Sequence, residues 1–230
     1  MGTRQERQLT TRKVIALAAG GAALCIGVSA TLAAWTDSEW VFGGNGAGGP
    51  GIGTSTFEVE QNTVAPFADG TWTHQEENPG GELSFGLAAL ALTPGEAVYA
   101  PMALRTAADS VAGTVTLQSA VGAAGVTADD PGGLLFDALQ VRVATDADPF
   151  TCAASAFAGG AEDPAVIADG ALSTTGGSAA QALAAEAGSV QYYCFEVSLP
   201  SPLVPAAGST IEDYMGRSVA PAWQFVGASS

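Results

Sequence analysis

Beyond residue 55 the chain alternates apolar and polar positions with period two, in runs separated by turn residues. Residues 56–61 put Phe57 and Val59 on one face, and residues 82–92 repeat the pattern with Leu83, Phe85, Leu87 and Ala89. A Thr93-Pro94-Gly95-Glu96 turn precedes Val98, Ala100, Met102 and Leu104. Further runs carry Val111, Gly113, Val115 and Leu117; Leu139, Val141 and Val143; and Tyr193, Phe195, Val197 and Leu199. Val219, Pro221, Trp223 and Phe225 form the last. Such alternation between Gly, Pro and Asp turns predicts half-buried antiparallel strands. Several of them predict an all-β domain, a jelly-roll-like antiparallel β-sandwich. Pro221 cannot donate to a ladder and is expected at an edge or a bulge. One window differs: residues 178–187 are rich in Ala with Gln, Leu and Glu, and Gly176-Gly177 and Gly188 bound them. Their helix propensity predicts a short helix or loop inserted between strands.

The first 39 residues follow another pattern. Arg4, Arg7, Arg12 and Lys13 precede residues 14–32, which carry no charge. Small residues then stand at Thr31 and Ala33, before Ala34. A basic head, an apolar core and a small-residue site read as an export signal peptide, helical and cleaved between Ala33 and Ala34. The apolar run also has nearly the length of a membrane span, so a retained anchor is the alternative. Residues 43–54 are dominated by glycine and read as a flexible tether. The expected organisation is therefore a signal over 1–33, an aromatic segment and tether over 34–54, and a β-sandwich domain over 55–230.

Charge narrows the partners. The chain carries a formal net charge of −16. Residues 1–33 hold four basic side chains and Glu6, so their removal takes the net charge from −16 to −19. What remains basic is Arg105, Arg142, Arg217 and the lone His74. Such a surface repels phosphate backbones and anionic lipid, so nucleic acid is excluded as a partner and the membrane enters only through the signal. Cys25 falls in the signal, leaving Cys152 and Cys194. In an oxidising compartment that pair reads as a disulfide, with two free buried thiols as the alternative.

The residues offer little direct chemistry. A zinc protease needs two histidines one helical turn apart with a glutamate between them, and a serine triad needs a histidine to take the proton. His74 is the single histidine, in the polar run Thr71-Trp72-Thr73-His74-Gln75-Glu76-Glu77, and is expected to be an exposed loop residue. There is no Gly-x-Ser-x-Gly elbow, and no lysine after Lys13. Asp129-Asp130, Asp146 with Asp148, and Glu162-Asp163 stand beside Gly or Pro and are expected to be solvated turn acids. No calcium-loop spacing surrounds them. The expectation is a non-enzymatic protein with no cofactor, catalytic or metal site.

The odd piece is residues 34–42, where Trp35, Trp40 and Phe42 flank Val41 on the glycine tether. An exposed apolar tail is a liability unless it docks. It is a candidate donor strand for a neighbour's sheet edge; packing on its own domain is the alternative.

Several motifs carry a resemblance. Thr31-Leu32-Ala33-Ala34-Trp35-Thr36-Asp37-Ser38-Glu39 resembles the junction of proteins processed by SipW-type signal peptidases, the TasA/camelysin family among them. Gly53-Thr54-Ser55-Thr56-Phe57-Glu58-Val59 resembles that family's first mature strand. The Leu92-Thr93-Pro94-Gly95-Glu96 turn, Tyr193-Cys194-Phe195-Glu196-Val197, and residues 215–225 resemble later elements in the same order. The similarity runs over most of the chain and is nearest to actinobacterial members. It implies a secreted jelly-roll domain and, by likeness to TasA, a biofilm-matrix fibre subunit joined by N-terminal strand donation. Some members carry a metallopeptidase label, for which this chain has no matching ligand set. The glycine-rich tether and the extreme acidity depart from the pattern. The expected function is a secreted, non-catalytic structural protein of the cell surface or extracellular matrix. Its expected partners are the export machinery, the signal peptidase and further copies of itself; a monomeric secreted binding module is the alternative.

Overall fold

The computed structural model describes residues 38–230. The chain divides into two compact units, Met1–Gly53 and Thr54–Ser230. The predicted signal, residues 1–33, lies outside the described residues.

In the first unit, residues 43–51 are not a featureless tether. They fold back on themselves through a Gly44–Pro50 bridge, with Gly51 N–H donating to Gly43 C=O at 3.0 Å. The Asn45 side chain holds the turn, its Oδ1 accepting from Ala47 N–H at 2.9 Å and Gly49 N–H at 3.1 Å. An asparagine that mimics a backbone turn supplies the order that glycine alone lacks.

The second unit is an all-β antiparallel sandwich. Its larger sheet has the order β1 (Val59–Asn62), β2 (Ala97–Thr106), β8 (Gln191–Ser198), β5 (Gln140–Asp146), β6 (Ala165–Ala171). The smaller sheet has the order β10 (Phe225–Ser229), β3 (Gly113–Leu117), β7 (Gln181–Leu183). A two-residue ladder joins β4 (Val121–Gly122) to β9 (Pro221–Ala222).

The core lies between the sheets. Val98, Met102 and Leu104 of β2, Tyr193, Phe195 and Val197 of β8, and Val141 and Val143 of β5 face Val115 and Leu117 of β3 and Leu183 of β7. Cross-strand register keeps these sets on one face, since Val98 stands opposite Val197, Phe195 opposite Val143, and Met102 opposite Tyr193. Trp223 and Phe225 close over the centre, with ring centroids 4.8 Å from Phe195 and 5.0 Å from Tyr193 respectively.

Pro101 sits inside β2, a strand paired on both sides. The bond from Leu199 N–H to Glu96 C=O sets the alternation, so the backbone nitrogens of 99, 101 and 103 point toward β1. The β1 ladder covers only residues 103–106, and Pro101 therefore needs no donor.

Three sequence expectations are corrected. Residues 82–92 form no strand: Leu83, Phe85, Ala89 and Leu92 do pack on the core, but Leu87–Ala91 is a 3-10 helix entered from Gly86 at φ 76°. With no neighbouring strand to pair with, the alternation places side chains without making a ladder. Residues 178–187 form no helix: the loop alternative holds for most of them, and Gln181–Leu183 adds the short strand β7. Buried Thr106 overrides propensity there, its hydroxyl donating to Ala184 C=O at 2.6 Å and accepting from Ala187 N–H at 3.0 Å. The final run splits between β9 and β10, changing ladders at Trp223 and Gln224. Among the elements that escaped the sequence reading are β6, whose bulge buries neighbouring Ile167 and Ala168 and so hides its alternation, and the single turn α1 (Leu134–Ala138).

Candidate functional site

The outer face of the larger sheet gathers most of the unexpected chemistry. One row crosses four strands in register: Tyr99 on β2, Glu196 on β8, Arg142 on β5 and Asp169 on β6. Arg142 grips Glu196 through two guanidinium nitrogens, Nε donating to Oε1 at 2.8 Å and Nη2 to Oε2 at 2.6 Å. The guanidinium also lies 4.6 Å from the centre of the Phe157 ring. Glu196 is buried and Arg142 is one-third exposed, so the pair is shielded from one side. The bond to Glu196 holds the Arg142 guanidinium above its ordinary value. Burial, then the Glu196 charge, pushes the Tyr99 hydroxyl up.

The segment that covers this row is pinned by the Cys152–Cys194 disulfide, Cα–Cα 5.1 Å. Cys194 points outward from the centre of β8, and Phe150 and Phe157 pack with Ala144, Ala156 and Tyr99 around it. The predicted disulfide is thus present, and it fixes an otherwise irregular stretch to the middle of the sheet.

At the β1 end, Arg105 Nε bonds Glu60 Oε2 at 2.9 Å and stacks 4.2 Å from the Trp72 ring centre. His74 is the exposed loop residue that was expected, but it has partners. A backbone bridge from Thr73 to Gln61 extends the sheet past β1, and His74 lies between Glu58 at 3.1 Å and Glu60 at 3.4 Å. Its neighbours are carboxylates, an arrangement that anchors the segment to the sheet edge.

Asp130 corrects another expectation. It is no solvated turn acid: its carboxylate is buried and accepts from Leu135 N–H at 3.0 Å, Phe136 N–H at 2.9 Å and Arg217 Nη1 at 2.7 Å. Burial alone would push its carboxyl up, but these three donors outweigh burial and hold it below the usual range. Beside it lies an apolar groove of about 310 Å³, lined by Gly122, Val126, Phe136 and Val219 among others.

All three arginines of the described residues are therefore engaged with carboxylates: Arg105 with Glu60, Arg142 with Glu196, Arg217 with Asp130. Each holds the fold, and the outward-facing charge is acidic. Among the described residues no group of three or more His, Cys, Asp or Glu side chains is placed to hold a metal ion. Sequence reading missed the Arg142–Glu196 and Arg217–Asp130 pairs. A glutamate in the apolar run Tyr193-Cys194-Phe195-Glu196-Val197 was the available signal for the first.

Trp40, Val41 and Phe42 are exposed, and their backbone joins no ladder. Ala33, Ala34 and Trp35 lie outside the described residues. The disulfide is compatible with an extracellular location. Among the described residues no helix is long and apolar enough to cross a membrane. The fold and these clusters define a disulfide-pinned antiparallel β-sandwich. No protein-family model matches the chain, and no curated protein matches it.

Proposed function

We propose that this protein is a secreted, non-catalytic structural component of the cell surface or extracellular matrix, of the TasA/camelysin kind. A SipW-type peptidase releases it after Ala33, and copies join when residues 34–42 of one add a strand to the sheet of another. The observation that carries the reading is the segment itself: Trp40 and Val41 are 91% and 95% exposed on a β-favouring, unpaired stretch. Chain with that composition gains most by pairing with a sheet edge. The disulfide supports the extracellular part of the reading.

Negative-stain electron microscopy of oxidised protein beginning at Ala34, across a range of salt, tests the reading. Filaments that vanish on deletion of residues 34–42 are expected. Dispersed particles at every salt concentration would instead favour the second reading, a monomeric secreted binding module, for which the groove beside Phe136 is the specific support.

A further inference from the structure

We propose that the free edge of β10 docks against the same edge of a second copy, so that two three-stranded sheets join across a two-fold axis. This contact is separate from any donated N-terminal strand.

The ladder fixes which backbone groups are free. Gln118 N–H donates to Gln224 C=O at 2.8 Å, and Ser230 N–H donates to Ala112 C=O at 3.1 Å. Between these points the alternation turns Val226 and Ala228 toward β3. Phe225, Gly227 and Ser229 then aim their N–H and C=O groups away from the sheet. Among the described residues of the second unit, none bonds to them.

Other edges of this unit are protected. Thr73 covers β1 with bonds in both directions to Gln61 at 2.9 Å. On β6, Ile167 C=O accepts from Ser178 N–H at 2.7 Å, Ala171 C=O accepts from Thr175 N–H at 3.0 Å, and Asp169 adds a charge between them. β7 has three residues and soon meets left-handed backbone at Glu186, φ 56°. β10 carries none of the devices that blunt an edge: no charge, no proline, no bulge.

Charge selects the occupant. Residues 110–128, 170–185 and 218–230 hold no charged side chain, and they contain β3, β7 and β10. In a chain of net −16 this is a neutral window in an acidic surface. Like-charged copies meet at least cost there, whereas a basic partner finds no carboxylate to greet it. The edge is also self-complementary. Antiparallel pairing centred on Gly227 sets Phe225 opposite Ser229 and Val226 opposite Ala228, and each outward N–H meets an outward C=O. Such an isologous contact closes on itself as a dimer.

Sedimentation equilibrium tests this on the protein purified from its producing cells, in about 0.15 M salt, where exposed charges are screened beyond roughly 8 Å. A species of twice the chain mass is expected. Ala228→Glu places like charges at the seam, and Ser229→Pro removes one outward N–H without touching the β3 ladder. Each is expected to weaken self-association about tenfold or more, while the far-UV spectrum, and the unfolding midpoint measured at a dilution where the parent is monomeric, stay those of the parent. Deletion of residues 34–42 is expected to leave this dimer intact. The proposal is overturned by a monomer at every concentration, or by association that both variants leave unchanged. Association lost only on deleting residues 34–42 overturns it too, while supporting strand donation.

Discussion

Arg142 and Glu196 face each other across the β5–β8 register and share two hydrogen bonds, of 2.8 and 2.6 Å, on the outer face of the larger sheet. Glu196 belongs to a strand whose two faces are both covered, so its carboxylate depends on Arg142 for compensation. Arg142→Ala strands that charge and is expected to cost about 3 kcal/mol in urea unfolding, the low end for a buried pair because the arginine is one-third exposed. The double variant Arg142→Met with Glu196→Leu is expected to recover most of the loss. If Arg142→Ala unfolds at the parent's midpoint, the pair is not what holds this row.

The disulfide closes a sequence separation of 42 residues. Replacing both cysteines by alanine is expected to cost about 3–4 kcal/mol on the chain-entropy account. Limited proteolysis should then cut residues 147–160 first, because Phe150 and Phe157 lose the tie that seats them over Ala144. Resistance of that segment in the double variant would show that apolar packing alone holds it.

Acid stability has a defined direction. Asp130 is held below the ordinary carboxylate range in the folded chain, so the folded state takes up its proton less readily than the unfolded state. Its contribution is fully present above the unfolded value of about 4 and is lost as pH falls from there through the folded value. Urea midpoints measured from neutral pH downward should therefore drop below about pH 4, and Asp130→Asn should flatten part of that drop. An identical acid limb in the variant would remove Asp130 from the account.

Gly227 and Phe57 are coupled by space. A Cβ at Gly227 would stand 2.7 Å from Phe57 Cε1, under the ring that closes this end of the sandwich. Gly227→Ala is expected to cost about 1–3 kcal/mol, from overpacking. In a Phe57→Ala background the same substitution should cost markedly less, a non-additivity read from a double-mutant cycle. Fully additive costs would mean that the ring moves aside freely.

At the alkaline end, burial pushes the Tyr193 hydroxyl up, and with it the pH at which the folded chain ionises. The unfolded chain deprotonates near pH 10, so the stability this phenol contributes is present below that and lost as pH rises further. Ultraviolet titration should show Tyr193 ionising only together with unfolding. A reversible step for all four tyrosines before unfolding would contradict its burial.

The all-β class was legible in the sequence because a strand half-buried in a sandwich writes its two faces into alternate residues, as in Val98-Ala100-Met102-Leu104 and Tyr193-Phe195-Val197. The Cys152–Cys194 pairing was legible as well, since setting Cys25 aside in the expected signal leaves two cysteines, which admit one intramolecular bond. Pattern could not settle which inward-facing residues would find a neighbouring strand. Residues 82–92 alternate and do not pair, while residues 181–183 have helix-favouring neighbours and pair with β3 because Thr106 ties down the turn that follows. Nor does local sequence bring Asp130 to Arg217 or Arg142 to Glu196: those partners lie 87 and 54 residues apart. Alternation is a local consequence of pleat geometry, so one strand's sequence records it. Ladder pairing, charge compensation and the free edge of β10 depend on which strands become neighbours, and only the tertiary structure decides that.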